Sequence, residues 1–135
     1  VLDKYGIRET AESVEVEIWG TGKPMREFLY SEDMADACIH IMERVDFKDT
    51  YDNSQTEIRN THINIGTGQE ISIKQLAETI KDIVGFNGAL YFNASKPDGT
   101  MCKLTEIGVL VNLGWQQKTD LDEGIHKTRS IYSPI

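Results

Sequence analysis

Two apolar periods alternate along this chain. Val14-Glu15-Val16-Glu17-Ile18 sets apolar and acidic residues on opposite sides, the period-two pattern of a half-buried strand. Phe28-Leu29-Tyr30 is short and reads as extended. From Ser31 the period lengthens: Met34, Cys38, Ile41, Met42 and Val45 recur at helical spacing. Glu32 and Asp33 fall in the first turn of that helix, where negative charge suits the dipole. His62-Ile63-Asn64-Ile65-Gly66 predicts a short buried strand ending in a turn. Ser72 with Gln75 is a capping box, and the helix it opens lines up Ile73, Leu76, Ala77, Ile80, Ile83 and Val84 until Gly85 stops it.

Leu90-Tyr91-Phe92 predicts a further strand, and Pro97-Asp98-Gly99 is turn chemistry. A short helix around Ile107 to Leu113 ends at Gly114. The last helix starts near Asp120, has Glu123 at its third position, and turns Leu121, Ile125, Thr128 and Tyr132 inward. Residues 46–60, rich in Asp, Thr, Asn and Gln, predict a mobile polar loop. The order of elements is that of an α/β fold, a small mixed sheet with flanking helices.

Composition narrows this picture. At 135 residues the chain fits a single domain over 1–135 with a real core. No apolar run approaches the ~18 residues of a membrane span, and no signal peptide opens the chain, so no membrane partner is expected. Cys38 and Cys102 are too few for a disulfide framework or a zinc site, and Cys38 falls on the predicted apolar face as a small core residue. A cytoplasmic location follows as the expectation. The formal charge of -8, with scattered Lys and Arg, argues against nucleic-acid binding.

Candidate chemistry is sparse. Gly20-Thr21-Gly22 and Gly66-Thr67-Gly68 suggest phosphate loops, but Met25 and Ile71 stand where the third glycine of G-x-G-x-x-G belongs. Both read as tight turns, which leaves no cofactor-binding residues to name. His40, His62 and His126 share no ligand spacing, so no metal site is expected. No pair of carboxylates is singled out for acid–base work, and no catalytic residue is assigned. Cys102 lies near Lys96 and Lys103, which makes an activated thiol conceivable.

Two segments remain: Trp19-Gly20-Thr21-Gly22-Lys23-Pro24-Met25-Arg26-Glu27-Phe28, and the loop from Ser95 to Lys103. Trp19 can stack on a base or sugar, and Arg26 can bind phosphate or hydroxyl oxygens with two N–H groups. Asp98 can accept hydrogen bonds from ring N–H or sugar hydroxyl groups, and Lys103 adds a point charge near a diphosphate. The alternative is a Trp19 that anchors the core and an Arg26 in a surface ion pair.

The stretch from Val16 to Ala35, with its Pro-Met-Arg-Glu-Phe string, resembles the carboxyl half of the GDP-L-fucose synthase family, extended short-chain dehydrogenases/reductases of the NAD-dependent epimerase/dehydratase class. The likeness continues through His62 to Gly68, Ser95-Lys96-Pro97-Asp98-Gly99-Thr100, Leu113-Gly114-Trp115 and Glu123-Gly124-Ile125. It implies a GDP-4-keto-6-deoxy sugar as ligand, with Trp19, Arg26, Asp98 and Lys103 as the substrate-binding residues. It also implies a reaction of epimerisation and NADPH-dependent reduction. Cys102 departs from the family, which usually has Arg or a similar polar residue there.

The resemblance places the Gly-rich NADP loop, the catalytic Ser and the Tyr-x-x-x-Lys pair in the family's amino-terminal half. No Tyr in this chain has Lys four residues on. The chain alone is therefore expected to hold no NADP and to catalyse nothing, as a substrate-binding region without the Rossmann half. The stripe of Met34, Cys38, Ile41 and Met42 then needs a new cover, and a homo-oligomer is expected. A non-catalytic nucleotide-sugar binding module, or the substrate domain of a related epimerase or dehydratase, is the alternative.

Overall fold

A computed structural model describes residues 2–9, 13–52, 54 and 56–132. After a 3-10 turn at Leu2–Tyr5 come strands β1 (Ile7–Glu9), β2 (Val14–Trp19) and β3 (Met25–Arg26), then helix α1 (Ser31–Arg44). A second 3-10 turn at Phe47–Thr50 lies inside the stretch expected as a polar loop, of which residues 53 and 55 fall outside the described residues. Strand β4 (Ile71–Ser72), helix α2 (Ile73–Val84), strand β5 (Ala89–Asn93) and helices α3 (Gly108–Asn112) and α4 (Leu121–Tyr132) complete the order. The chain parts into two compact units: Val1–Arg26, Glu70–Lys103 and Ile125–Ile135 in one, Glu27–Gln69 and Leu104–Gly124 in the other.

The first unit is built on β2. It pairs antiparallel with β1, with Ile7 opposite Val16, and parallel with β5, from Glu15 opposite Ala89 to Trp19 opposite Asn93. This is a small mixed sheet in the order β1-β2-β5. Strands β3 and β4 form a separate antiparallel pair, Met25 opposite Ser72 and Arg26 opposite Ile71. Helix α2 starts where the sequence places it. The Ser72 side chain accepts from the Gln75 N–H and the Gln75 side chain reaches back to the Ser72 N–H, while Gly85 ends the helix at φ 71°. Two N–H groups at its amino end are satisfied by the turn before β3: Ile73 donates to the Pro24 carbonyl at 3.0 Å and Lys74 to that of Gly22 at 2.9 Å.

The second unit packs around Ala37, Leu110 and Trp115, with Leu29, Ile41, Ile63 and Ile65 against them. This corrects the predicted face of α1. The buried positions are Asp33 and Ala37, while Met34 and Cys38 are exposed and Met42 is 84% exposed. Hydrophobic periodicity misses this because the inward face begins with a carboxylate. Asp33 Oδ2 accepts the N–H groups of Lys118 at 3.0 Å and Thr119 at 2.8 Å, and Oδ1 accepts the Thr119 hydroxyl at 3.3 Å. A buried polar group that is fully hydrogen-bonded can occupy a core-facing position. The small side chain of Ala37 then lets the helix approach Leu110 and Trp115.

Three other expectations are corrected. Neither residues 28–30 nor 62–66 form a strand, because a strand needs a ladder partner and none pairs with them among the described residues. Ile63 and Ile65 still reach the core, as their alternation predicts. In α4, Leu121 and Ile125 are half-buried but Thr128 and Tyr132 are exposed. That helix turns Arg129 toward α2, where its guanidinium donates to the Ile83 carbonyl at 2.5 Å.

Candidate functional site

Strand β2 ends at Trp19, and the chain then turns through Gly20 and Gly22 at φ 88° and 75°. Both backbone conformations favour glycine. A Cβ at Gly22 would lie 2.7 Å from the Phe92 ring. The turn leaves Trp19 68% exposed, which excludes the core-anchor alternative. The Lys96 ammonium stands 5.1 Å from the indole centroid, a cation–π distance. Trp19 and Lys96 line a surface cleft of about 690 Å³ together with Tyr5, Arg8, Glu17 and Asn93. Glu17 is held there by an ion pair with Arg8 and accepts from the Asn93 amide at 2.5 Å. The sequence reading assigned none of these neighbours to the site. The signal was present in the period-two rule, which puts Glu17 on the same strand face as Trp19.

The loop after β5 is joined along the turn and β3. The Thr21 N–H donates to Asp98 Oδ1 at 2.7 Å, and the Thr21 hydroxyl to Oδ2 at 2.6 Å. The Met25 N–H donates to the Met101 carbonyl at 2.7 Å. Arg26 Nη1 donates to the carbonyls of Thr100 and of Met25, both at 2.6 Å. Arg26 is thus fixed by carbonyls and forms no ion pair among the described residues. The structure brings the two sequence-selected segments side by side. Trp19, Arg26 and Asp98 fall on this joined stretch. Lys103 ends the same loop, exposed, with its N–H on Glu70 Oε1 at 3.2 Å. The Cys102 thiol lies against the same carboxylate, 3.0 Å from Oε1.

The turn reading of the two Gly-Thr-Gly segments gains a physical reason. Successive backbone N–H groups in such turns form an anion-binding concavity. In each case one of the chain's own carboxylates accepts from the turn. At the first, Asp98 takes a single backbone N–H, that of Thr21, together with the Thr21 hydroxyl. Glu27 occupies the second, with Oε1 accepting the N–H groups of Thr67 and Gly68, both at 2.6 Å, and Oε2 that of Thr105 at 3.1 Å. Burial pushes the Glu27 carboxyl up, but the bonds from Thr105, Gly68 and Thr67 outweigh it and hold the group below the usual range. The Thr21 hydroxyl and N–H lower Asp98 in the same way, against a small effect of burial, and Lys23 adds to the lowering. Of the histidines, His40 has a ring nitrogen 2.9 Å from the Leu113 carbonyl, while His62 and His126 are exposed.

Comparison with known proteins fits this geometry. The model of the NAD dependent epimerase/dehydratase family matches residues 4–66. The chain is 45% identical over 128 residues to the GDP-L-fucose synthase of Escherichia coli K12, covering 95% of this chain and 39% of that protein. Among solved structures, a GDP-6-OMe-4-keto-L-xylo-heptose reductase from C. jejuni superposes with a TM-score of 0.85 at 45% identity, over 97% of this chain and 36% of that one. A GDP-mannoheptose C4 reductase from Campylobacter jejuni, solved with NADP bound, gives a TM-score of 0.76 at 47% identity, over 87% and 34%. The chain spans less than two fifths of the length of these curated relatives, 33% of one from Arabidopsis thaliana and 39% of the one from Escherichia coli K12. On these matches the chain is similar to members of the NAD dependent epimerase/dehydratase family, the GDP-L-fucose synthases among them.

Proposed function

We propose that this chain is the substrate-binding, carboxyl-terminal region of a GDP-sugar epimerase/reductase of the GDP-L-fucose synthase type, with a GDP-4-keto-6-deoxyhexose as its ligand. The observation that carries this reading is the joining of the Trp19–Arg26 segment to the 98–101 loop. It sets an exposed indole and a fixed guanidinium on one connected stretch of backbone. Trp19 supplies a flat face for a base or sugar. Arg26 spends Nη1 on two carbonyls, which orients its plane and leaves Nη2 and Nε for phosphate or hydroxyl oxygens. Lys103 adds an exposed ammonium at the end of the same loop.

In this reading the chain orients the substrate. Hydride transfer draws on NADP and on the Ser and Tyr-x-x-x-Lys groups that the resemblance puts in the family's amino-terminal half. The isolated chain binds GDP-sugar and turns nothing over. Relatives of the GDP-sugar type support the nucleotide assignment. Exposed Met34, Ile39 and Met42 on α1 support self-association of the isolated chain.

Calorimetric titration with GDP and GDP-mannose, beside UDP-glucose, tests the reading. Saturable heat with the guanine ligands alone is expected. Equal binding of the UDP-sugar, or no binding of any ligand, overturns it.

A further inference from the structure

The turn that presents Trp19 and the loop that fixes Arg26 meet at one side-chain pair. Thr21 engages Asp98 through both its N–H and its hydroxyl, each on a different carboxylate oxygen, at 2.7 and 2.6 Å. Two bonds to one planar group fix its orientation, whereas a single bond leaves it free to rotate. The flanking glycines make this contact possible. A side chain at Gly20 would collide with Asp98 Oδ1, and one at Gly22 with the Phe92 ring. The Thr21 hydroxyl is further oriented by the Lys23 N–H, which donates to it at 3.3 Å.

Two residues beyond Asp98, the Thr100 carbonyl receives Arg26, and the Met101 carbonyl receives the Met25 N–H. The loop is therefore fastened at both ends, by Thr21 on the Asp98 carboxylate and by the Met25 N–H and the Arg26 guanidinium on the Met101 and Thr100 carbonyls. Only the first fastening depends on the identity of a side chain at each partner. Near Arg26 the loop also passes close: a Cβ at Gly99 would lie 3.0 Å from Nη2. A loop that drifts by an ångström there loses the carbonyl that aims the guanidinium.

We propose that Thr21 and Asp98 form a latch that holds the 98–101 loop in the ligand-ready position. Thr21 is then a positioning residue, and Asp98 acts through it on Arg26. This inference rests on the GDP-sugar reading for its ligand but not for its geometry, and the two are tested separately.

The test titrates the full chain with GDP-mannose and measures exchange of the Thr21 amide with solvent by NMR in the absence of ligand. Asp98→Ala removes both bonds and weakens binding about tenfold, the scale of a lost charged hydrogen bond, while Thr21→Val, which leaves the Thr21 N–H on the carboxylate, weakens it by less. The double variant is no weaker than Asp98→Ala alone, because that change already removes both bonds to Thr21. Thr21→Ser and Asp98→Asn restore binding to within about twofold, since each keeps two hydrogen bonds to the partner. Far-UV circular dichroism and the amide spectrum of strands β2 and β5 report that each variant is folded. Loss in Asp98→Asn with full binding in Thr21→Val overturns the latch and makes Asp98 a direct ligand contact. If the wild type binds no GDP-sugar, the functional reading fails, and the amide decides the latch alone. Protection lost in Asp98→Ala supports it; a Thr21 amide that exchanges equally fast in both proteins overturns it.

Discussion

Replacing Glu27 by Gln keeps the shape of the side chain and removes its charge. One amide oxygen can still accept from Thr67 and Gly68, but an N–H₂ group then faces the Thr105 N–H, where Oε2 now accepts at 3.1 Å. Bonds to a charged acceptor are worth about 1.5–3 kcal/mol and neutral ones about 0.5–1.5. Two weakened bonds and one lost bond sum to roughly 3 kcal/mol, and the half-exposed position brings this to about 2 by letting water substitute. With urea slopes of about 1–3 kcal/mol per molar, the unfolding midpoint falls by about 1 M.

The assay is urea unfolding followed by Trp115 fluorescence in a Trp19→Phe background, so that the signal reports on the second unit. The effect also has a pH signature. The folded pKa of Glu27 lies below its unfolded value, so its stabilisation is fully present above the unfolded pKa, about 4.3, and is lost as pH falls through the folded one. Wild type and variant therefore differ most at neutral pH and converge in acid. A midpoint shift under about 0.2 M at pH 7, or a gap that does not close in acid, refutes the reasoning.

Asp33→Ala leaves the N–H groups of Lys118 and Thr119 without their carboxylate in a buried site, and a loss of about 2–4 kcal/mol is expected in the same assay. A change below about 0.5 kcal/mol would show that water replaces the carboxylate without penalty. Sedimentation velocity of the isolated chain is expected to show a concentration-dependent dimer or higher species. Met42→Lys, on the most exposed apolar position of α1, is expected to shift it toward monomer. A monodisperse wild-type monomer removes the self-association proposal.

What was legible in the sequence divides by the range of the interaction. Helix α2 was readable to the residue, because its capping box and terminal glycine act within a few positions. Strand β2 was readable from alternation and β5 from the short run Leu90-Tyr91-Phe92. The inward face of α1 was not, because Asp33 is made core-compatible by N–H groups more than eighty positions away. The second Gly-Thr-Gly turn was readable as a turn, but its occupant, Glu27, lies forty residues back. At the site, Trp19 and Arg26 stood out by residue type beside a Gly-Pro turn. Lys96 came with the Ser95–Lys103 loop and Glu17 with the alternation of β2, whereas Asn93 joined them only through the parallel pairing of β2 with β5. Pairing of that kind carries no local signal.

The central claim is that Trp19, Arg26 and the 98–101 loop form one wall of a GDP-sugar site. Two-dimensional NMR of the labelled chain during titration with GDP-mannose addresses it most directly. The account predicts that the Trp19 indole N–H, the Arg26 side chain and the amides of Thr100 and Met101 shift together along one binding curve, while the buried Trp115 indole N–H, bonded to Asp36 at 2.8 Å, stays in place. Shifts confined to Trp115 and its neighbours, or none at Trp19 and Arg26 at saturating ligand, would contradict it.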